Sequence, residues 1–253
     1  MRYRLGIDTG GTFTDIILFE EEAKRIYVAK THSTPSNPAL AVINGIEKIA
    51  KIAGIHSRDM NFLVHGTTVA TNALLEYKGV ETALLLTEGF KDILSIARQT
   101  RPKLYEWFAR RPDPFVHRKN RYEISERILH AGAIAKALDE DQVKAIAVRL
   151  KQENIKSIAV CLLHSYANPA HELKIREVFS RYHPEAKLCL SSDVLKEIRE
   201  YERMSTTVIN AYVMPIIERY LEDLKVRMKG QGLGIELNVM QSNGGIIDRK
   251  SVV

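Results

Sequence analysis

Within its first twenty residues the chain runs an apolar, β-branched strand into a carboxylate, a pair of glycines and a second strand, LGIDTGGTFTDIIL. Few folds tolerate that order. The strand delivers Asp8 at its carboxyl end, and Gly10 and Gly11 carry no Cβ, so backbone can approach a ligand closely. The N–H groups of the turn and the hydroxyls of Thr9, Thr12 and Thr14 then offer donors around an anion. A carboxylate beside phosphates is repulsive unless a divalent cation lies between them, and Mg²⁺ accepts that mixture of one carboxylate, water and phosphate oxygens. An ordinary hairpin turn also uses Asp and Gly; the density of threonines favours the phosphate reading. No Gly-Lys-Ser/Thr follows, so this is not a Walker A loop. It is not a dinucleotide GxGxxG either, since the return strand leaves no helix start behind the turn.

After a charged turn, RIYVAKT continues the pattern, so the first three strands form an antiparallel meander. An α/β rhythm follows. ALAVINGIEKIAKIAG has helical spacing and ends at Gly54. NFLVHGTTVATNALLEYKG reads as a buried strand, a turn and a helix closed by Gly79. Next come a strand (VETALLLT), a helix (EGFKDILSIAR), a strand (RYEISERI), a helix (DEDQVKAIAVRLKQEN), a strand (IKSIAVCLL), a helix (AHELKIREVFSRY) and a strand (AKLCLSSDV). A long helix covers residues 201–229, and IELNVMQS is the last strand, followed by Asn-Gly-Gly, a faint echo of the first turn. RQTRPKLYEWFARRPDPFVHRK is the long stretch without clean periodicity; it holds three of the eight prolines and the sole Trp. A loop of that length is a functional element or a surface excursion packed by its own aromatics.

No apolar run is long enough for a membrane helix, and MRYRLG has no signal-peptide character. Cys161 and Cys189 each sit in an apolar strand-like stretch and read as reduced, buried residues, which fits a cytoplasmic protein. The net charge of +6 suits anionic ligands. Basic and acidic residues alternate in KEIREYER and LEDLKVRMK, and no nucleic-acid motif is present.

His65-Gly66-Thr67-Thr68 with Asn72 is a second constellation. Thr67 or Thr68 can cap the following helix; alternatively the segment is a substrate-facing rim on which donors meet an oxyanion. Arg98, Gln99 and Arg101 open the long loop and suit phosphate or carboxylate, though arginine is also favoured at an exposed helix end. Asn168 before Pro169 reads as a helix N-cap, while His164 and Tyr166 could face a cleft. The run from Glu197 to Arg203 reads as a solvated helix face with intrahelical pairs, with Glu200 or Arg203 as candidates to line a cleft. Asn210 needs a partner if buried.

The Asp-x-Gly-Gly-Thr hairpin resembles the first phosphate motif of the actin-like ATPases. The longer string, with VHGTTVATNALLEYKG, LLLTEGFKDIL followed by ARQTRPKLY, AVCLLHSYANPAHE, EIREYERMSTTVINAYVMP and MQSNGG, resembles the A-type subunits of hydantoinases, 5-oxoprolinases and acetone carboxylases. That resemblance implies an actin-like (ribonuclease H-like) α/β lobe with a mixed sheet, residues 1–200, and the start of a second lobe, residues 201–253, which stops before a second phosphate loop or adenosine pocket. It implies ATP and Mg²⁺ or another divalent cation. The substrate is a cyclic amide (hydantoin, N-methylhydantoin or 5-oxoproline) whose oxygen is activated by phosphorylation, and the partner is a B-type subunit. On the same basis Asp8 holds the metal through water and residues 9–12 cradle the β- and γ-phosphates. Asp15 supports the hairpin or orients water. His65, Thr67 and Thr68 face the substrate, with Asn72, Arg98 and Arg101 as further contacts. A ketone carboxylase subunit, and a lobe that is inactive until it associates with the missing half, are the competing expectations.

Overall fold

The computed structural model describes residues 2–34, 37–109, 111–241 and 243–248. In chain order the elements are β1 (Tyr3–Thr9), β2 (Phe13–Glu20), β3 (Arg25–His32), α1 (Pro38–Ala53), β4 (Met60–Thr67) and α2 (Val69–Leu75). Then follow β5 (Thr82–Thr87), α3 (Ile93–Ile96), β6 (Arg121–Ile124), β7 (Arg127–Ile128), β8 (Ile134–Lys136), α4 (Glu140–Gln152) and β9 (Ser157–Cys161). The remainder are α5 (Ala170–Tyr182), β10 (Lys187–Leu190), α6 (Ser191–Val194), α7 (Glu200–Gly230), β11 (Leu237–Met240) and β12 (Ile246–Asp248). They divide into two compact units: Met1–Lys78 with Ile216–Val253, and Gly79–Pro215.

The first unit is a six-stranded mixed sheet in the order β12-β11-β4-β1-β2-β3. The opening meander is antiparallel, as the alternation predicts, and β4 and β11 add in parallel beside β1. Period-two burial decides everything about its faces. Leu5, Ile7, Ile16 and Leu18 point to one side, where they join Val42, Ile46 and Ile49 of α1 and Leu221, Leu224 and Met228 of α7 in a single core. Asp8 and Asp15 alternate to the other side and are exposed. Gly45 lets α1 lie close to β2: a Cβ there falls 2.6 Å from Ile16 Cδ1. Gly54 ends α1 in the left-handed region, φ 68°, with its N–H turned back to carbonyls of the last turn.

The second unit has a wholly parallel sheet, β10-β9-β5-β6. Every residue of β5 and β9 is buried, as expected of a parallel sheet covered on both faces. Ala83 and Leu85 face the core built with α4 and α5, whereas Leu84 and Leu86 face the one containing Met204, Val208 and Ala211 of α7. Both cysteines are buried and unpaired. Burial pushes the Cys161 thiol up to about 12 and that of Cys189 to about 11. Among the described residues, no helix is long and apolar enough to cross a membrane.

Several elements differ from the sequence expectation. The helix expected through EGFKDILSIAR contracts to the four residues of α3, and RYEISERI breaks into β6 and β7. SSDV leaves the strand and coils into α6. A hairpin partner, β8, and the terminal strand β12 carry no strong signal of their own. The helix after His65 stops at Leu75, not at Gly79. Gly79 is required for another reason: a Cβ there falls 2.0 Å from the ring of Tyr212. Asn168 stands one position outside the cap of α5, and its Oδ1 accepts the Ala170 N–H at 3.0 Å.

Candidate phosphate hairpin and its supporting network

The β1–β2 register sets Asp8 directly across from Asp15, and Thr9 across from Thr14. Each pair therefore shares one face of the sheet. Asp15 meets Lys30 of β3 at 3.1 Å, both largely exposed. Asp8 makes no hydrogen bond or ion pair among the described residues; its carboxylate lies over Gly66, where a Cβ would come 3.0 Å from Oδ1 and 3.2 Å from Met240 Cε. The turn closes with Gly10 N–H donating to the Phe13 carbonyl at 3.0 Å and the Ser33 hydroxyl donating to the Gly10 carbonyl at 2.7 Å. Gly11 and Thr12 remain exposed.

The two threonine hydroxyls on the other face turn inward. Thr14 Oγ1 is fully buried and hydrogen-bonded to Ser33 Oγ at 3.1 Å, and Thr9 is 2% exposed. Of the hairpin's three threonines, Thr12 alone presents its side chain to solvent. The periodicity that brings Asp8 out sends Thr9 in.

β4 lies parallel to β1 and sets Gly66 beside Asp8 and Thr67 beside Thr9. The Thr68 N–H and hydroxyl both donate to the Thr9 carbonyl, at 3.2 and 3.3 Å. Asn72 follows one turn later; its Nδ2 donates to Thr68 Oγ1 at 3.4 Å and lies 3.7 Å from where a Cβ of Gly11 would stand. The structure thus joins Asp8, Gly10, Gly11, Gly66, Thr68 and Asn72, six residues from two segments that the sequence separates by more than fifty positions. The Thr68 side chain makes no capping bond into α2; it fastens the segment to the hairpin instead.

His65 is fully buried, on the core side of β4. Its Nε2 lies 2.5 Å from the hydroxyl of Tyr220, which α7 supplies from 155 positions away. Desolvation lowers the His65 pKa to about 4, and the Ile7 carbonyl offsets only part of that, so the ring is neutral at neutral pH. The neutral ring that satisfies most groups accepts from the Tyr220 O–H at Nε2 and keeps its proton at Nδ1, on the Ile7 side; Nδ1 makes no hydrogen bond of ordinary geometry. Burial raises the Tyr220 pKa, opposed by the hydroxyls of Thr67 and Thr9. Thr9 Oγ1 makes no well-formed bond of its own, although it lies close enough to bias that phenol. Sequence reading passed over Tyr220: a tyrosine in a long amphipathic helix has no local mark of its partners.

Arg98 and Arg101 belong to the second unit. Arg98 pairs with Glu202 at 2.5 Å, and Arg101 is exposed. Arg203, which the sequence leaves between a solvated helix face and a cleft lining, is 1% exposed; its guanidinium donates to Ser165 Oγ at 2.7 Å and to the Leu162 carbonyl at 2.6 Å. Ser165 meets Ser191 at 2.9 Å, and Ser191 donates to the buried Glu172 at 2.6 Å, so two hydroxyls relay between opposite charges. Glu172 also accepts the N–H groups of Leu162 and Ser192. His164 Nδ1 lies 3.3 Å from Tyr166 Oη, and Asn210 Nδ2 rests 3.4 Å from Cys189 Sγ.

This mixed α/β arrangement is shared with solved enzymes. Nucleotide-free acetone carboxylase superposes with a TM-score of 0.87 at 25% identity, over 99% of this chain and 38% of that one. The ATP-dependent caprolactamase of Pseudomonas jessenii superposes with a TM-score of 0.86. Its alpha subunit is 35% identical over 251 residues, 97% of this chain and 36% of the subunit. An uncharacterised protein of Methanocaldococcus jannaschii is 41% identical over 253 residues, 99% of this chain and 37% of its own length. Residues 4–183 match the hydantoinase/oxoprolinase N-terminal region, and residues 203–253 match the hydantoinase/oxoprolinase region. The chain belongs to the hydantoinase/oxoprolinase family. It spans little more than a third of the length of these curated relatives.

Proposed function

We propose that this chain carries the nucleotide-phosphate site of an ATP-dependent enzyme that hydrolyses cyclic amides of the hydantoin or 5-oxoproline kind, together with a B-type companion subunit. The observation that carries the reading is Asp8: an exposed carboxylate without a described partner, at the end of a buried strand, over Gly66 and beside the Gly10-Gly11 turn. Among the described residues no three His, Cys, Asp or Glu side chains gather into a protein metal cage. A lone carboxylate next to bare backbone is nevertheless the donor set that Mg²⁺ takes when phosphate oxygens and water complete its shell. The residues present therefore fit Mg-ATP, with Asp8 on the metal's water and the Gly11–Thr12 backbone and Thr12 hydroxyl on the phosphates.

Bound there, Mg-ATP supplies the phosphoryl group that turns a poorly electrophilic amide into a hydrolysable one. The chain's own residues position and neutralise charge, which is most of what phosphoryl transfer asks of a protein. Asp15, held by Lys30, keeps the hairpin in place and orients water. Thr68 and Asn72 line the substrate side, and Thr67, on the core face with His65 and Tyr220, supports them from behind. Carboxylation of a ketone is the second reading, favoured by the 0.87 superposition on acetone carboxylase. Both readings concern the whole enzyme.

Isothermal titration with Mg-ATP tests the site. Asp8→Asn is expected to weaken Mg-ATP binding by about tenfold, ~1.4 kcal/mol, while leaving metal-free ATP binding unchanged. Full binding and turnover in Asp8→Asn refutes the metal role. ATP hydrolysis stimulated by 5-oxoproline or hydantoin, and not by acetone with bicarbonate, separates the two substrate readings.

A further inference from the structure

The excursion over residues 98–119 has no part in the phosphate hairpin, yet it carries most of the chain's excess of positive charge. Seven of its residues are Lys or Arg and two are Asp or Glu, which is five of the net +6 of the whole protein. Its tip is apolar and open: Leu104 is 75% exposed, Tyr105 97%, Trp107 91% and Phe108 91%. Its base is fixed. Arg111 donates to the carbonyls of Ser95, Ile96 and Thr100, Val116 is buried, and Phe115 stacks 4.9 Å from the ring of Tyr212. A stem anchored in this way with four large apolar side chains in water is the opposite of a loop packed by its own aromatics.

The surface continues past the loop. Ser95 offers its carbonyl to Arg111 and its hydroxyl to Arg121 at 2.9 Å. Arg121 in turn borders a cavity of about 370 Å³ that Lys91, Lys119, Arg149, Tyr122 and Glu123 also line. The side chains of Lys91, Lys119 and Arg101 have no hydrogen bond or ion pair among the described residues. Aromatic residues and arginine at the centre of a patch are what protein interfaces enrich, and a one-signed rim steers and selects an oppositely charged partner.

We propose that this surface docks an acidic protein with an apolar slot: the aromatic tip enters the slot, and carboxylates around it meet the free cations. In the functional reading above, on which this rests, that protein is the B-type companion subunit. A second copy of the chain is disfavoured because it brings the same positive charge.

The test uses the protein co-purified with its companion subunit. Trp107→Ala/Phe108→Ala and Arg101→Glu/Lys103→Glu are each expected to raise the dissociation constant by about tenfold or more, the loss of one hot-spot contact. Lys225→Glu, exposed on α7, is expected to leave it unchanged. A photo-reactive benzoylphenylalanine at position 107 is expected to crosslink to an acidic segment of the companion. Wild-type chains that form no complex overturn the two-subunit reading and the docking together. A complex whose affinity ignores both double substitutions overturns the docking alone. So do crosslinks confined to the protein's own polypeptide, and so does tight binding of a single-stranded oligothymidine that Trp107→Ala abolishes.

Discussion

Replacing Tyr220 by Phe removes one oxygen atom and nothing else from the core of the first unit. The ring continues to fill its place beside Leu221 and Leu224, so no cavity opens. The loss is the 2.5 Å contact with His65, which leaves a fully buried ring nitrogen without water or protein. An unmade buried hydrogen bond costs about 1–3 kcal/mol. For a chain of this size that corresponds to a fall in Tm of roughly 4–8 °C at about 2 kcal/mol. A double-mutant cycle isolates the contact. His65→Leu alone strands the tyrosine hydroxyl; His65→Leu with Tyr220→Phe removes both partners, which is close to neutral relative to either single change. Denaturant unfolding of the four proteins is expected to give a coupling of about 1–2 kcal/mol. Additivity to within about 0.5 kcal/mol refutes the bond as an energetic link between α7 and β4. Because the Tyr220 hydroxyl also touches the Thr9 and Thr67 environment, Mg-ATP affinity of the Phe variant is expected to fall as well; an unchanged affinity confines the network to stability.

The same histidine gives a pH signature. Its folded pKa of about 4 lies below the unfolded 6.5, so the unfolded chain takes up a proton that the folded one refuses. Stability is therefore unaffected above about pH 6.5 and is lost as pH falls toward 4, by roughly 3 kcal/mol in all; urea midpoints of the wild type, compared with His65→Leu, are expected to diverge across that window and nowhere above it. Gly45→Ala gains helix propensity but drives a methyl group to 2.6 Å from Ile16 Cδ1; overpacking is expected to win, with a net loss of about 1–2 kcal/mol in thermal unfolding. Arg203→Met removes two buried charge-assisted hydrogen bonds, to Ser165 and the Leu162 carbonyl, and leaves Glu172 without its counter-charge. It is expected to cost about 3–5 kcal/mol by denaturant titration, and adding Glu172→Gln is expected to recover part of the loss.

What the sequence made legible was governed by local periodicity. Alternation in LGIDTGGTFTDIIL settles the meander and the exposure of Asp8, and continuous apolar runs mark β5 and β9. The same alternation, followed one residue further, would have turned the Thr9 and Thr14 hydroxyls inward; the chemical appeal of a threonine-rich turn concealed it. His65 read as an exposed-rim candidate because its motif is local, whereas its burial comes from Tyr220, contributed by a helix at the other end of the chain. Arg203 stands among charges, so its sequence leaves a solvated face and a cleft lining both open; only the fold shows that α7 begins against the end of β9, where the Ser165 hydroxyl and the Leu162 carbonyl accept its guanidinium. Elements that exist by pairing alone, such as β8 and β12, have too few residues to announce themselves, and α6 is a single helical turn, Ser-Ser-Asp-Val, that reads equally well as a strand end.

The first unit is made of two pieces of chain, with the whole of the second unit inserted between them. Strand β11 pairs with β4 at Leu237 and Leu63, positions 174 residues apart, and Tyr220 reaches His65 across a comparable interval. Such closures are slow to find, because the loop entropy must be surmounted before any contact is gained. The inserted unit is continuous and can assemble as it leaves the ribosome, whereas the meander that carries Asp8 has its turn early and its backing late. During synthesis the anion-facing residues therefore exist long before the strand and helix that hold them, and the phosphate hairpin matures only once α7 and β11 have been made.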